Sequence, residues 1–99
     1  MSDSAQLDFS VVIPALDEET TIVKAIELAK EAIALSGLTG EVVVADNGST
    51  DQTVALAEAA GARVVKAENK GYGYALLTGF KQARGRYLVM GDADATYDF

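Results

Sequence analysis

Ninety-nine residues, 49% of them hydrophobic and only one of them proline, describe at most one globular domain with a thin core. A formal charge of -7, with only eight Lys and Arg, argues against a nucleic-acid partner, because phosphate backbones are bound by clustered cations. Cysteine and histidine are both absent, which excludes disulfides, thiolate metal sites and imidazole catalysis, so any metal must be held by oxygen. No apolar run approaches the roughly 20 residues of a membrane helix, and the polar start lacks the basic and apolar regions of a signal peptide. These features predict a cytoplasmic chain in which residues 1–8 form a disordered tail and 9–99 a single domain.

The run FSVVI at 9–13 is short and β-branched, the pattern of a strand buried on both faces, and Pro14 is expected to end it by removing a ladder donor. Residues 17–36 predict a long amphipathic helix, with Ile22, Ile26, Ala29 and Ile33 on one stripe, acidic residues in its first turn and Gly37 after its end. EVVVA at 41–45 repeats the buried-strand pattern. The following DNGSTD turn leads into a second helix, where Ser49 and Gln52 have capping-box spacing. Gly61 closes that helix, 62–66 predicts a third strand, 71–83 a third helix and 86–91 a buried fourth strand. The order β-α-β-α-β-α-β predicts an α/β fold: a four-stranded parallel sheet with helices on both faces.

Ligands of such sheets bind beyond the carboxyl ends of the strands, where the strand order reverses. Three acidic groups fall at those ends: Asp17 with Glu18, Asp46, and Asp92 with Asp94. Asp and Asn also favour turns and helix caps without any ligand, and that plainer role is weighed most heavily for Asp17 and Asp51. Asp92 and Asp94 stand at i and i+2, which in extended backbone aims both carboxylates to one side. Paired oxygen donors suit Mg²⁺ or Mn²⁺, ions that keep open positions for substrate phosphates and can neutralise a departing diphosphate.

Four phrases in order, VIPALDEE at 12–19, VADNGSTD at 44–51, NKGYG at 69–73 with Gly79, and MGDAD at 90–94, resemble glycosyltransferase family 2. The similarity runs from Phe9 to the end of the chain and is nearest in flavour to polyprenyl-phosphate sugar transferases such as dolichol-phosphate mannosyltransferase. The resemblance implies the Rossmann-like N-terminal half of a GT-A fold and an inverting, metal-dependent transfer from a UDP- or GDP-linked sugar. The implied acceptor is a polyprenyl phosphate at a membrane surface, with the full-length protein peripheral to that membrane. Carried over residue by residue, it places Pro14, Leu16 and Glu18 around base and ribose, and Asp46 on the nucleobase. Lys70 and Gly71 fall near the diphosphate, Asp92 on ribose or sugar, and Asp94, with Asp92, on Mg²⁺ or Mn²⁺. The catalytic base is expected beyond Phe99.

Asp17 stands where the family usually has asparagine, adding charge near a diphosphate site or improving the first helix cap, and Ala95 follows the metal motif where a polar residue is frequent. A dinucleotide-dependent oxidoreductase would carry its glycine fingerprint after strand one, where this chain has PALDE, and a phospho-receiver domain needs an aspartate after strand three, where it has Val65 and Lys66. A non-catalytic nucleotide-sugar-binding or scaffolding fragment is the remaining alternative. Ending a sheet on its fourth strand leaves an edge uncovered, which predicts marginal stability or self-association.

Overall fold

A computed structural model describes residues 7–93. Strands β1 (Leu7–Ala15), β2 (Gly40–Asp46), β3 (Arg63–Lys66) and β4 (Gly85–Met90) alternate with helices α1 (Ile22–Ser36), α2 (Thr53–Ala59) and α3 (Tyr72–Gln82). All pairings are parallel, in the order β3-β2-β1-β4. The period-two alternation of strand side chains divides the core between two faces. On one, Val11, Ile13, Val42 and Val44 meet Ile22, Ile26 and Ala29 of α1 and Ala57 of α2. On the other, Gly79 of α3 lies against Val12 and Ala45, close enough that a Cβ there would stand 2.4 Å from Val12 Cγ1.

The apolar stripe of α1 is as the sequence predicts, and Gly37 ends the helix in the left-handed region with φ 75°. Its start is not: the helix opens at Ile22 rather than Asp17, because Asp17, Glu18 and Glu19 are engaged with the loop after β2. Pro14 does not end β1, which runs on to Ala15. Alternate β1 residues bond to opposite neighbours. Ala15 O accepts from Asn47 on the β2 side and Val12 O from Gly91 on the β4 side, so the donor that Pro14 lacks faces β4 beyond that strand's last paired residue. Leu7 and Asp8, expected in the tail, belong to β1. Asp8 Oδ2 accepts from Thr39 N at 2.8 Å, and the Thr39 bonds hold its carboxyl below the usual range.

Two further expectations are corrected. Ser49 and Gln52 form no capping box, since α2 begins at Thr53 and both residues bond to the first loop instead. Strand β4 is exposed rather than buried, with Tyr87 69% and Met90 56% accessible, because the strand order sends it to the sheet edge. The base of the sheet is tied by Glu41. Its carboxylate accepts from Ser10 Oγ at 2.7 Å and Arg84 N at 2.7 Å, and pairs with Arg63 Nη2 at 3.1 Å, while Ser10 Oγ accepts from Gly85 N at 2.8 Å. Burial raises the Glu41 carboxyl, but these hydrogen bonds and the Arg63 charge outweigh it and hold the group below its ordinary value.

Candidate functional site

The strand order reverses between β2-β1 and β4, so the loops leaving β1 and β4 part in opposite directions and open a crevice at the carboxyl edge. A cavity of about 270 Å³ occupies it. The β1 loop contributes Pro14, Ala15, Leu16 and Glu18, the β2 loop Asn47, the first turns of α3 Tyr72 and Ala75, and the segment after β4 Asp92 and Ala93. Pro14 and Ala15 are buried at the floor, Glu18 is partly buried, and Leu16 and Asp92 stand exposed at the mouth. The segment holding Asp92 is fastened on both sides: Gly91 N donates to Val12 O at 2.9 Å, and Thr21 Oγ1 donates to Ala93 O at 2.8 Å.

The β1 and β2 loops hold each other reciprocally. Asp17 N donates to Ser49 Oγ at 2.9 Å and Asp17 Oδ1 accepts from Thr50 N at 2.8 Å. Glu18 N donates to Thr53 Oγ1 at 2.7 Å, Glu19 N to Asp51 Oδ2 at 3.2 Å, and Gln52 N to Glu19 Oε1 at 3.0 Å. Asp51 also accepts from the Thr53 hydroxyl and amide. Desolvation raises the Asp51 carboxyl, and the bonds from Thr53 and Glu19 outweigh it, leaving it below its ordinary value. Asp17 takes φ 51°, a left-handed conformation that asparagine and aspartate tolerate better than most residues. It neither caps α1, which starts five residues on, nor lines the cavity. Its carboxylate is used in the clasp.

Asp46 is 2% exposed. Its Oδ2 accepts from Gly48 N at 3.1 Å and Ser49 N at 3.0 Å, holding the turn, while Oδ1 is buried with no hydrogen-bond partner among the described residues. Of the residues expected to bind a ligand, the structure therefore gathers Pro14, Leu16, Glu18 and Asp92 around one cavity and sets Asp46 at the base of the adjoining turn. Lys70 and Gly71 are exposed and outside the lining. Gly71, with φ 120°, precedes α3 and is held by Asn47. Asn47, Tyr72 and Ala75 line the cavity but were not expected to. Asn47 stands in the phrase at 44–51 and Tyr72 in the phrase at 69–73 that carry the family resemblance, but neither is among the residues the resemblance places at the ligand.

Asp94, and with it the geometry of the expected Asp92 and Asp94 metal pair, lies outside the described residues. Among the described residues no group of three or more carboxylates gathers to hold an ion. Asp92 at the mouth, in a site without nitrogen or sulfur ligands, has the donor chemistry of a hard cation that completes its shell with waters and substrate phosphates. No helix among the described residues is long and apolar enough to cross a membrane.

The model of the family described as Glycosyl transferase family 2 matches residues 10–99. The chain is 52% identical over 90 residues to the low-salt glycan biosynthesis hexosyltransferase of Haloferax volcanii, covering 91% of this chain and 22% of that protein. It is 34% identical over 112 residues to dolichyl-phosphate beta-glucosyltransferase of Drosophila melanogaster, covering 100% of this chain and 34% of the relative. Among solved structures it resembles glucosyl-3-phosphoglycerate synthase of Mycobacterium tuberculosis in complex with Mn²⁺, UDP and glucosyl-3-phosphoglycerate. That likeness has TM-score 0.76 and 36% identity, over 91% of this chain and 34% of the other. The chain thus spans between a fifth and about a third of the length of these proteins.

Proposed function

Because the chain belongs to glycosyl transferase family 2, we propose that it is the donor-binding part of an inverting glycosyltransferase that takes a nucleotide-diphospho-sugar with a divalent metal. The observation that carries this reading is the meeting of Pro14, Leu16, Glu18 and Asp92 in one cavity at the reversal of strand order. The exposed apolar Leu16 and the buried Pro14 suit the flat face of a base and its ribose, and Glu18 suits a ribose hydroxyl. The buried Asp46 Oδ1 supports a nucleobase contact: a carboxylate oxygen without a partner costs about 1–3 kcal/mol, and a ring N–H would satisfy it. Uracil and guanine offer such a donor. UDP is favoured over GDP because the similar mycobacterial synthase holds it.

Asp92 and Asp94 would hold Mg²⁺ or Mn²⁺, which when bound neutralises charge developing on the diphosphate. What the chain's own residues supply is donor binding and the orientation of the diphosphate toward the mouth of the cavity. Lys70 and the backbone around Gly71 contribute charge and close approach at the start of α3. No residue within 7–93 is assigned as the base that deprotonates the acceptor. A polyprenyl phosphate acceptor, met at the cytoplasmic surface of a membrane, is supported by the likeness to dolichyl-phosphate beta-glucosyltransferase.

Calorimetric titration of UDP-glucose and GDP-mannose, with and without Mn²⁺, tests the reading, repeated on Asp94→Ala and Asp92→Asn. Metal-dependent binding of one nucleotide, lost in Asp94→Ala, is the expected result. No binding of either sugar nucleotide refutes it. Turnover on adding a polyprenyl phosphate would separate an enzyme from a binding fragment.

A further inference from the structure

Asn47 is bonded to two other loops at once. Its backbone N–H donates to Ala15 O at the end of β1, at 2.9 Å. Its side-chain Nδ2 donates to Asn69 O at 2.9 Å, and its Oδ1 accepts from Gly71 N at 2.8 Å. One planar amide therefore satisfies a carbonyl on one side of Lys70 and an N–H on the other, as a strand would. The neighbouring Asp46 O accepts from Ala67 N at 2.9 Å, so the segment is fastened at 67, 69 and 71. Those bonds fix the backbone on either side of Lys70 and set where α3 begins, at Tyr72, which lines the cavity.

Resting on the donor-site reading above, the geometry points to Asn47 as the positioning residue that fixes the backbone on either side of Lys70 and so presents Lys70 to the diphosphate. A flexible lysine on an unfastened loop would lose entropy on meeting a phosphate, and fastening the backbone in advance removes part of that loss. Asn47 acts through Lys70, so its effect on binding must depend on Lys70 being present.

The test is a double-mutant cycle on the 99-residue chain. UDP with Mn²⁺ is titrated calorimetrically into wild type, Asn47→Ala, Lys70→Ala and the double variant, and exchange of the Gly71 amide is followed by NMR. Each single substitution is expected to weaken UDP roughly tenfold, the loss of one hydrogen bond to a charged group. The double variant should be no weaker than Lys70→Ala, and the Gly71 amide should exchange faster in Asn47→Ala. A double variant weakened roughly a hundredfold, or Asn47→Ala binding UDP as wild type does, overturns the proposal while leaving the donor site standing. Wild type that fails to bind UDP removes the donor-site reading itself. Should Asn47→Ala not fold, Asn47→Ser takes its place in the cycle: its neutral hydroxyl is too short to hold Asn69 O and Gly71 N together, and the same non-additivity with Lys70→Ala is expected.

Discussion

Replacing Gly85 by alanine should damage the chain out of proportion to a single methyl group. A Cβ at this position would stand 2.3 Å from Phe9 C, 2.4 Å from Ser10 N and 2.5 Å from Phe9 Cα. These are backbone atoms of the central strand, which no rotamer change can move. Relief requires β4 to withdraw from β1 by about 1 Å at its amino end, and that withdrawal strains the Gly85 N to Ser10 Oγ bond of 2.8 Å, whose acceptor is fully buried. Overpacking of about 1–3 kcal/mol and the loss of one buried hydrogen bond of about 1 kcal/mol together give roughly 2–4 kcal/mol. For a domain of this size that corresponds to a fall in melting temperature of roughly 10–25 °C. Urea and thermal denaturation followed by circular dichroism measure it. Gly73→Ala is the control: it lies within α3, a Cβ there meets nothing within 4 Å, and the variant should gain up to about 1 kcal/mol from helix propensity. If Gly85→Ala melts within a degree or two of wild type, the close passage of β4 over β1 is refuted.

The Glu41 network predicts a pH signature. Its carboxyl is depressed in the folded state, so its contribution to stability is present above the unfolded value near 4.3 and lost as pH falls through the folded value. Glu41→Gln should therefore be less stable than wild type by about 1–2 kcal/mol at pH 7, and the difference should shrink below about pH 4 in denaturation series; a gap that is constant from pH 7 to 2 would contradict the assignment. The edge of β4 carries one charged side chain and no proline, whereas β3, at the opposite edge, is four residues long and ends in Arg63 and Lys66. Concentration-dependent self-association through β4 is expected by light scattering, reduced in Val89→Lys, and a wild-type monomer at all concentrations would refute it.

Much of the fold could be read from local composition because the elements that dominate it are fully buried. VVI in β1 and VVV in β2 are covered on both faces, and Ile22, Ile26 and Ala29 repeat at helical spacing against them. Where the reading failed, the deciding partner lay far along the chain. Asp17 looked like the first turn of a helix, but it is held by Ser49 and Thr50, more than thirty residues on. The apolar run of β4 could not disclose that topology places it at an edge, since an edge strand and a central one share the same hydrophobicity. At the site, Glu18 and Asp92 were legible as carboxylates beyond strand ends, and Pro14 and Leu16 through the family resemblance of the phrase at 12–19. Asn47 was not, because its amide acts on residues 69 and 71, a relation that only the folded chain creates.

The reciprocal clasp between the first two loops has a consequence for how this chain can vary. Donors and acceptors run in both directions between 17–19 and 49–53, so neither loop has a conformation of its own to conserve. A replacement at Asp17 removes the acceptor for Thr50 N, and one at Asp51 removes the acceptor for Glu19 N. The two stretches therefore form one structural unit: each loop's side-chain oxygens cover amides of the other, so losing an acceptor in either loop strands a backbone N–H in its neighbour, and the two loops should loosen together.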